Sequence, residues 1–155
     1  ICMLTRRERT EVLVEGGPAL ALELASLVEA DTPAQDIVPA RQGLVMCQVR
    51  ETARNSRFYL SEVLVTESRV RIGEADGLGV LMGTDAAHAR ALAVIDAAYA
   101  MEPAPACVAE LERHIEGARA ALFERAVAQD ARTYVSRVEF DEMSGQGMSV
   151  QAVVK

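Results

Sequence analysis

The stretch Phe58–Ala97, FYLSEVLVTESRVRIGEADGLGVLMGTDAAHARALAVIDA, decides how the chain is read. Phe58–Thr66 and Arg69–Ile72 have strand composition, with Val70 and Ile72 on one side and Arg69 and Arg71 on the other. Gly73-Glu74-Ala75-Asp76-Gly77 reads as a turn, after which Leu78, Val80 and Met82 share one strand face. Gly83-Thr84-Asp85 then opens a helix from Ala86 to about Met101, with His88, Leu92, Ile95 and Tyr99 along one face. The connections are too short for parallel crossovers, so the strands are expected to form an antiparallel meander.

Upstream, Thr5 is an N-cap candidate with Glu8 completing a capping box. Gly16-Gly17 stops that first helix and Pro18 starts a second, over Ala19–Ala30, which Asp31-Thr32-Pro33 ends. Ile37-Val38 and Leu44–Val49 read as strand segments separated by Pro39–Gly43. One face of Leu44–Val49 is apolar and the other mostly so. Glu51–Ser56 is a polar hairpin loop. Downstream, Pro103 and Pro105 break the Ala86–Met101 helix, a long helix follows from Ala106 to Arg132, and Tyr134–Met143 reads as a closing strand. The expected fold is a single α+β domain over residues 1–155, a predominantly antiparallel sheet with helices packed on it. Residues 144–155 are expected to form a loose tail, and partners to cover the remaining apolar surface.

A chain of 155 residues supports one core. Its net charge of −7 repels nucleic acid and anionic lipid, and 4% aromatics leave little for stacking bases. Two His and three Cys show no metal-ligand spacing, so no metal is expected, and scattered thiols fit a reducing cytoplasm. No apolar run reaches the ~20 residues of a transmembrane helix.

Several polar residues invite a functional reading beside a structural one. Glu62 shares the face of Phe58, Leu60 and Leu64 by strict alternation. It is either a site carboxylate, the weak catalytic candidate, or is turned to solvent by a bulge near Ser61 or neutralised by an Arg. Arg54, Arg57, Arg69 and Arg71 lie on one hairpin. Arg57, Arg69 and Arg71 are ligand-binding candidates for a phosphate or phosphonate if they share a face; otherwise they belong to a solvated face balanced by glutamates. Asp85 reads as an N-cap rather than part of an anion site, Asp96 needs a paired Arg or a bound ion if buried and otherwise holds a boundary position, and His88 reads as a packing or capping residue rather than a general acid or base. No nucleophile elbow, phosphate loop or zinc-protease motif occurs.

The ordered set Phe58-x-Leu60-x-Glu62-Val63-x-Val65-Thr66, Val70-Arg71, Gly77-x-Gly79, Gly83-x-Asp85 and His88-Ala89 to Asp96-Ala97 resembles the PhnG family. Thr5-Arg6 to Leu13 and Ser136-Arg137-Val138-Glu139-Phe140 extend the resemblance over nearly the whole chain. It implies a subunit of the bacterial phosphonate carbon–phosphorus lyase system, in a cytoplasmic complex with PhnH, PhnI and PhnJ. That system transfers an alkylphosphonate to the ribose C1 of ATP with displacement of adenine, before radical cleavage of the carbon–phosphorus bond. PhnI is the implied catalyst and ATP a substrate of the complex. The subunit itself carries no cofactor and no catalytic residues transferable from the family. The alternatives are a phosphonate- or nucleotide-binding module and a purely structural adaptor. The chain departs from the family pattern at Ser61, where Gly is usual, and at Glu67 and Thr84, where Arg is usual.

Overall fold

The computed structural model describes residues 4–134. In chain order they form α1 (Arg6–Glu15), α2 (Pro18–Asp31), β1 (Gln35–Arg50), β2 (Arg57–Ile72), β3 (Ala75–Met82), α3 (Ala86–Ala100) and α4 (Cys107–Tyr134). The strands make an antiparallel sheet in the order β1-β2-β3, so the fold class is α+β as the sequence indicates. The chain divides into two compact units, residues 1–123 and 124–155. The second is represented among the described residues by the last turns of α4.

The starts of α1, α2 and α3 follow from local chemistry. The Thr5 hydroxyl accepts from the Glu8 N–H while the Glu8 carboxylate accepts from the Thr5 N–H at 2.9 Å, a reciprocal capping box. Gly17 at φ +86° reverses the chain between α1 and α2, and Pro18 occupies the first turn of α2. Asp85 caps α3 by accepting the His88 N–H at 2.9 Å.

The strands are more continuous than the sequence suggests. Pro39 lies inside β1, where register shifts between Asp36 and Arg41 absorb it; β1 is an edge strand, so a missing N–H on its free side is tolerated. Ser68 likewise does not interrupt β2: it is fully buried, and its hydroxyl reaches the Val38 carbonyl at 3.4 Å. Tyr134, read from the sequence as opening a closing strand, instead ends α4. Nearby the Thr133 hydroxyl bonds back to the Gln129 and Asp130 carbonyls, and the run before it lacks strand alternation. The rest of that expected strand and the expected tail over 144–155 lie outside the described residues.

The core sits between the sheet and α3. Along β2, Thr66, Ser68, Val70 and Ile72 are buried and alternate with the outward-facing Glu67, Arg69 and Arg71. Their partners on β3 include Leu81, Gly79 and Gly77. A Cβ on Gly77 would lie 2.0 Å from the Ala93 carbonyl oxygen, and one on Gly79 1.9 Å from that of Ala89. Glycine on the strand and alanine on the helix therefore bring two backbones into contact, and a buried run from Ala91 to Ile95 results. Leu24 and Val28 of α2, Val12 and Leu13 of α1, and Leu111 and Ile115 of α4 complete the core.

Gly79→Ala is expected to destabilise the protein by at least about 2 kcal/mol, as overpacking against an immovable backbone does. Gly43→Ala, where an added Cβ meets nothing within 4 Å, should stay within about 0.5 kcal/mol of the parent. Urea unfolding midpoints of the two variants check this pair.

Candidate functional site

The two long strands outrun the third. β3 pairs with β2 only from Val65 to Ile72, and just past it the Gly83 N–H donates to the Leu64 carbonyl at 3.0 Å, so Arg57–Val63 has β1 alone for a neighbour. Together with Leu44–Arg50 it forms a two-stranded arm about 25 Å long at the usual rise per residue, closed by the Glu51–Ser56 turn. Glu51 organises that turn: its carboxylate accepts the Arg54 N–H at 2.8 Å, the Ala53 N–H at 3.2 Å and the Ser56 hydroxyl at 3.0 Å. These bonds hold its carboxyl below the ordinary glutamate range, the Ser56 hydroxyl contributing most.

The arm is apolar where a solvated ribbon would be polar. Leu44, Met46, Tyr59 and Leu60 are each more than half exposed, Leu60 at 64%, and Val45 and Phe58 are exposed on the same arm. Met82 at the end of β3 is exposed at 73% and adjoins it through its pairing with Val65. By the register, Leu44, Met46 and Tyr59 leave the ribbon on one face and Val45 and Phe58 on the other, so both faces expose apolar groups, and a two-stranded ribbon of this kind is at best marginally stable on its own. The sequence carried a signal of it, since Leu44–Val49 is apolar on both faces rather than one.

Glu62 lies on this arm. A register shift between Cys47 and Gln48 leaves Leu60 as an extra residue in β2, a bulge one position from Ser61. Glu62 sits opposite Met46, exposed, with no hydrogen bond or ion pair among the described residues. The arginine candidates do not converge. Arg57 is at the arm tip, about 40 Å along an extended strand from Arg69. Arg71 is held by Asp76 on β3, whose carboxylate takes the guanidinium bidentately, the second bond at 2.9 Å. That partner raises the Arg71 pKa and lowers that of Asp76. Arg69 shares the outer face with Arg71 but contributes only a longer-range field to Asp76. Of the other departures from the family pattern, Glu67 accepts from Arg41 on β1 at 2.7 Å, and Thr84 is exposed beside the α3 cap.

The remaining polar candidates hold the body together. Asp96 is the boundary aspartate with a paired arginine: it accepts Arg6 Nε at 2.8 Å, a second Arg6 nitrogen at 2.6 Å and the Leu78 N–H at 3.0 Å. One carboxylate thus joins α1, α3 and β3. Arg90 donates to Glu29 of α2 and Asp36 of β1, both at 2.8 Å, and is held fully charged by them. His88 is buried, its Nε2–H donating to the Leu13 carbonyl at 3.1 Å. A depression of about 230 Å³ is lined by Arg6, Arg9, Asp76, Asp96, Tyr99 and Ala100. Its arginines are already engaged, Arg6 by Asp96 and Arg9 by the Leu4 carbonyl and the Tyr99 ring face, 3.8 Å away. Among the described residues no group of His, Cys, Asp and Glu is placed to hold a metal ion, and no helix is long and apolar enough to cross a membrane.

A helix-backed antiparallel sheet whose two long strands run on as an exposed apolar arm defines the class: an α+β protein. The chain belongs to the family described as Phosphonate metabolism protein PhnG, which matches over residues 4–145. Its place is therefore in phosphonate metabolism. Among curated proteins no sequence matches it.

Two measurements check the structural roles. Asp96→Ala should cost about 1–3 kcal/mol by orphaning the Leu78 N–H, whereas Arg6→Ala, removing an exposed partner, should cost under about 1 kcal/mol. Tyr99 has its pKa raised, first by burial and then by the Glu112 carboxylate beside it. A raised folded-state pKa leaves stability intact below about pH 10, the unfolded value, and removes it as pH climbs toward the folded one. Tyr99→Phe should therefore flatten the alkaline fall of the unfolding free energy relative to the parent.

Proposed function

We propose that this chain is a subunit of the phosphonate carbon–phosphorus lyase core complex, working beside PhnH, PhnI and PhnJ in the cytoplasm. In this reading it supports transfer of an alkylphosphonate to the ribose C1 of ATP with displacement of adenine, and PhnI supplies the nucleosidase-type chemistry. The observation that carries the proposal is the arm. Its apolar side chains lack cover among the described residues, and desolvating them against another subunit contributes roughly 25 cal/mol per Å² of apolar surface buried. The scattered arginines and the solvent-facing Glu62 argue for a supporting rather than a self-sufficient role. Family membership supports the metabolic setting.

Co-expression with PhnH, PhnI and PhnJ tests it directly. The parent chain should co-purify with them. A Leu44→Asp/Leu60→Asp variant should keep its unfolding midpoint yet lose capture at least tenfold, about 1.4 kcal/mol of association energy. The isolated chain should release no adenine from ATP. Release of adenine by the pure subunit overturns the supporting role. Glu62→Ala, with assembly intact, should leave turnover unchanged if the subunit acts as an adaptor and lower it if Glu62 reaches the reacting groups.

A further inference from the structure

The arm ends in positive charge. Arg50 and Arg57 are directly opposed cross-strand partners, so their side chains leave the ribbon on the same face. Arg54 lies on the turn between them, and all three are exposed. Like charges directly opposite in a sheet oppose pairing, and nothing at the tip neutralises them fully. Arg50 meets only the Asn55 side-chain carbonyl, at 3.2 Å, and neither Arg54 nor Arg57 has an ion pair among the described residues. Glu51, the sole carboxylate of the turn, is committed to the Ala53 and Arg54 N–H groups and the Ser56 hydroxyl. The turn is thereby held in one shape, with Asn55 at φ +59°, and the guanidinium groups project from a preformed base. This excess of positive charge stands on a protein whose net charge is −7.

We infer that the arm tip is an oxyanion site, in which Arg50, Arg57 and Arg54 together take a multiply charged phosphoryl group such as a polyphosphate. Guanidinium groups bind such oxygens bidentately. The inference rests on the reading of the arm as a partner-clasped element in one respect. Burying the apolar shaft carries the tip out of bulk water, and desolvated guanidinium groups require an anion. The pairing of Arg50 with Arg57 and the commitment of Glu51 are independent of any partner.

Sodium tripolyphosphate titrated calorimetrically into the full isolated chain, at low salt, is the test. The parent chain is expected to bind in the millimolar range. Arg50→Gln/Arg57→Gln should weaken binding at least tenfold, and Arg7→Gln/Arg113→Gln, which removes the same charge elsewhere, should leave it unchanged. Equal weakening in both double variants shows bulk charge alone and overturns the site, as does absence of heat with the parent. Loss of PhnI capture in the tip variant with unchanged tripolyphosphate binding shows a protein contact and also overturns it. Selective loss of tripolyphosphate binding upholds the site even if no partner is captured by any variant, which would instead count against the assembly reading.

Discussion

The fold depends on a contact with no side chain in it. Gly77 and Gly79 of β3 meet the backbone of α3 at Ala89, Ala93 and Ala97 so closely that any Cβ would collide. That contact sets the depth at which α3 lies on the sheet, and everything outside it follows. β3 fixed on α3 fixes the register of β2 from Val65 to Ile72, and β2 in turn carries β1. Beyond Val65 no helix-backed third strand is present and the pair continues alone. The arm is thus an extension of the core's own strands, anchored at one end in the sheet that Gly77 and Gly79 bring against α3.

Charge is distributed in keeping with this division. In the body, charged side chains connect elements: Asp96 ties α1 to α3 and β3, Arg90 ties α3 to α2 and β1, and Arg41–Glu67 and Arg71–Asp76 join neighbouring strands. On the arm, Glu62 and the tip arginines have no such duties. The buried Tyr99 hydroxyl and Glu112 carboxylate oxygens have no hydrogen-bond partner among the described residues.

Most of the architecture could be read from the sequence because it is written locally. Caps at Thr5 and Asp85, the Gly16-Gly17-Pro18 reversal and the period of two in Val70 and Ile72 each depend on neighbours a few residues away. What could not be read was long-range. The bulge at Leu60 is a mismatch between two strands, visible only once Cys47 is paired with Ser61. Arg57 and Arg69 look adjacent on one predicted hairpin, yet strand length separates them. The arm itself is a difference in length between β2 and β3, and no local pattern announces where a partner strand will stop.

The Leu78 N–H illustrates a consequence of a different kind. It lies on the free edge of β3 and is already taken by Asp96, with Arg6 folded over the same carboxylate. A strand approaching from that side would find its hydrogen-bonding position occupied and α1 side chains in its path. The opposite edge, β1, carries no such block among the described residues. Growth of the sheet by backbone pairing is therefore hindered at Leu78 on the β3 margin, a hindrance without a counterpart along β1 among the described residues.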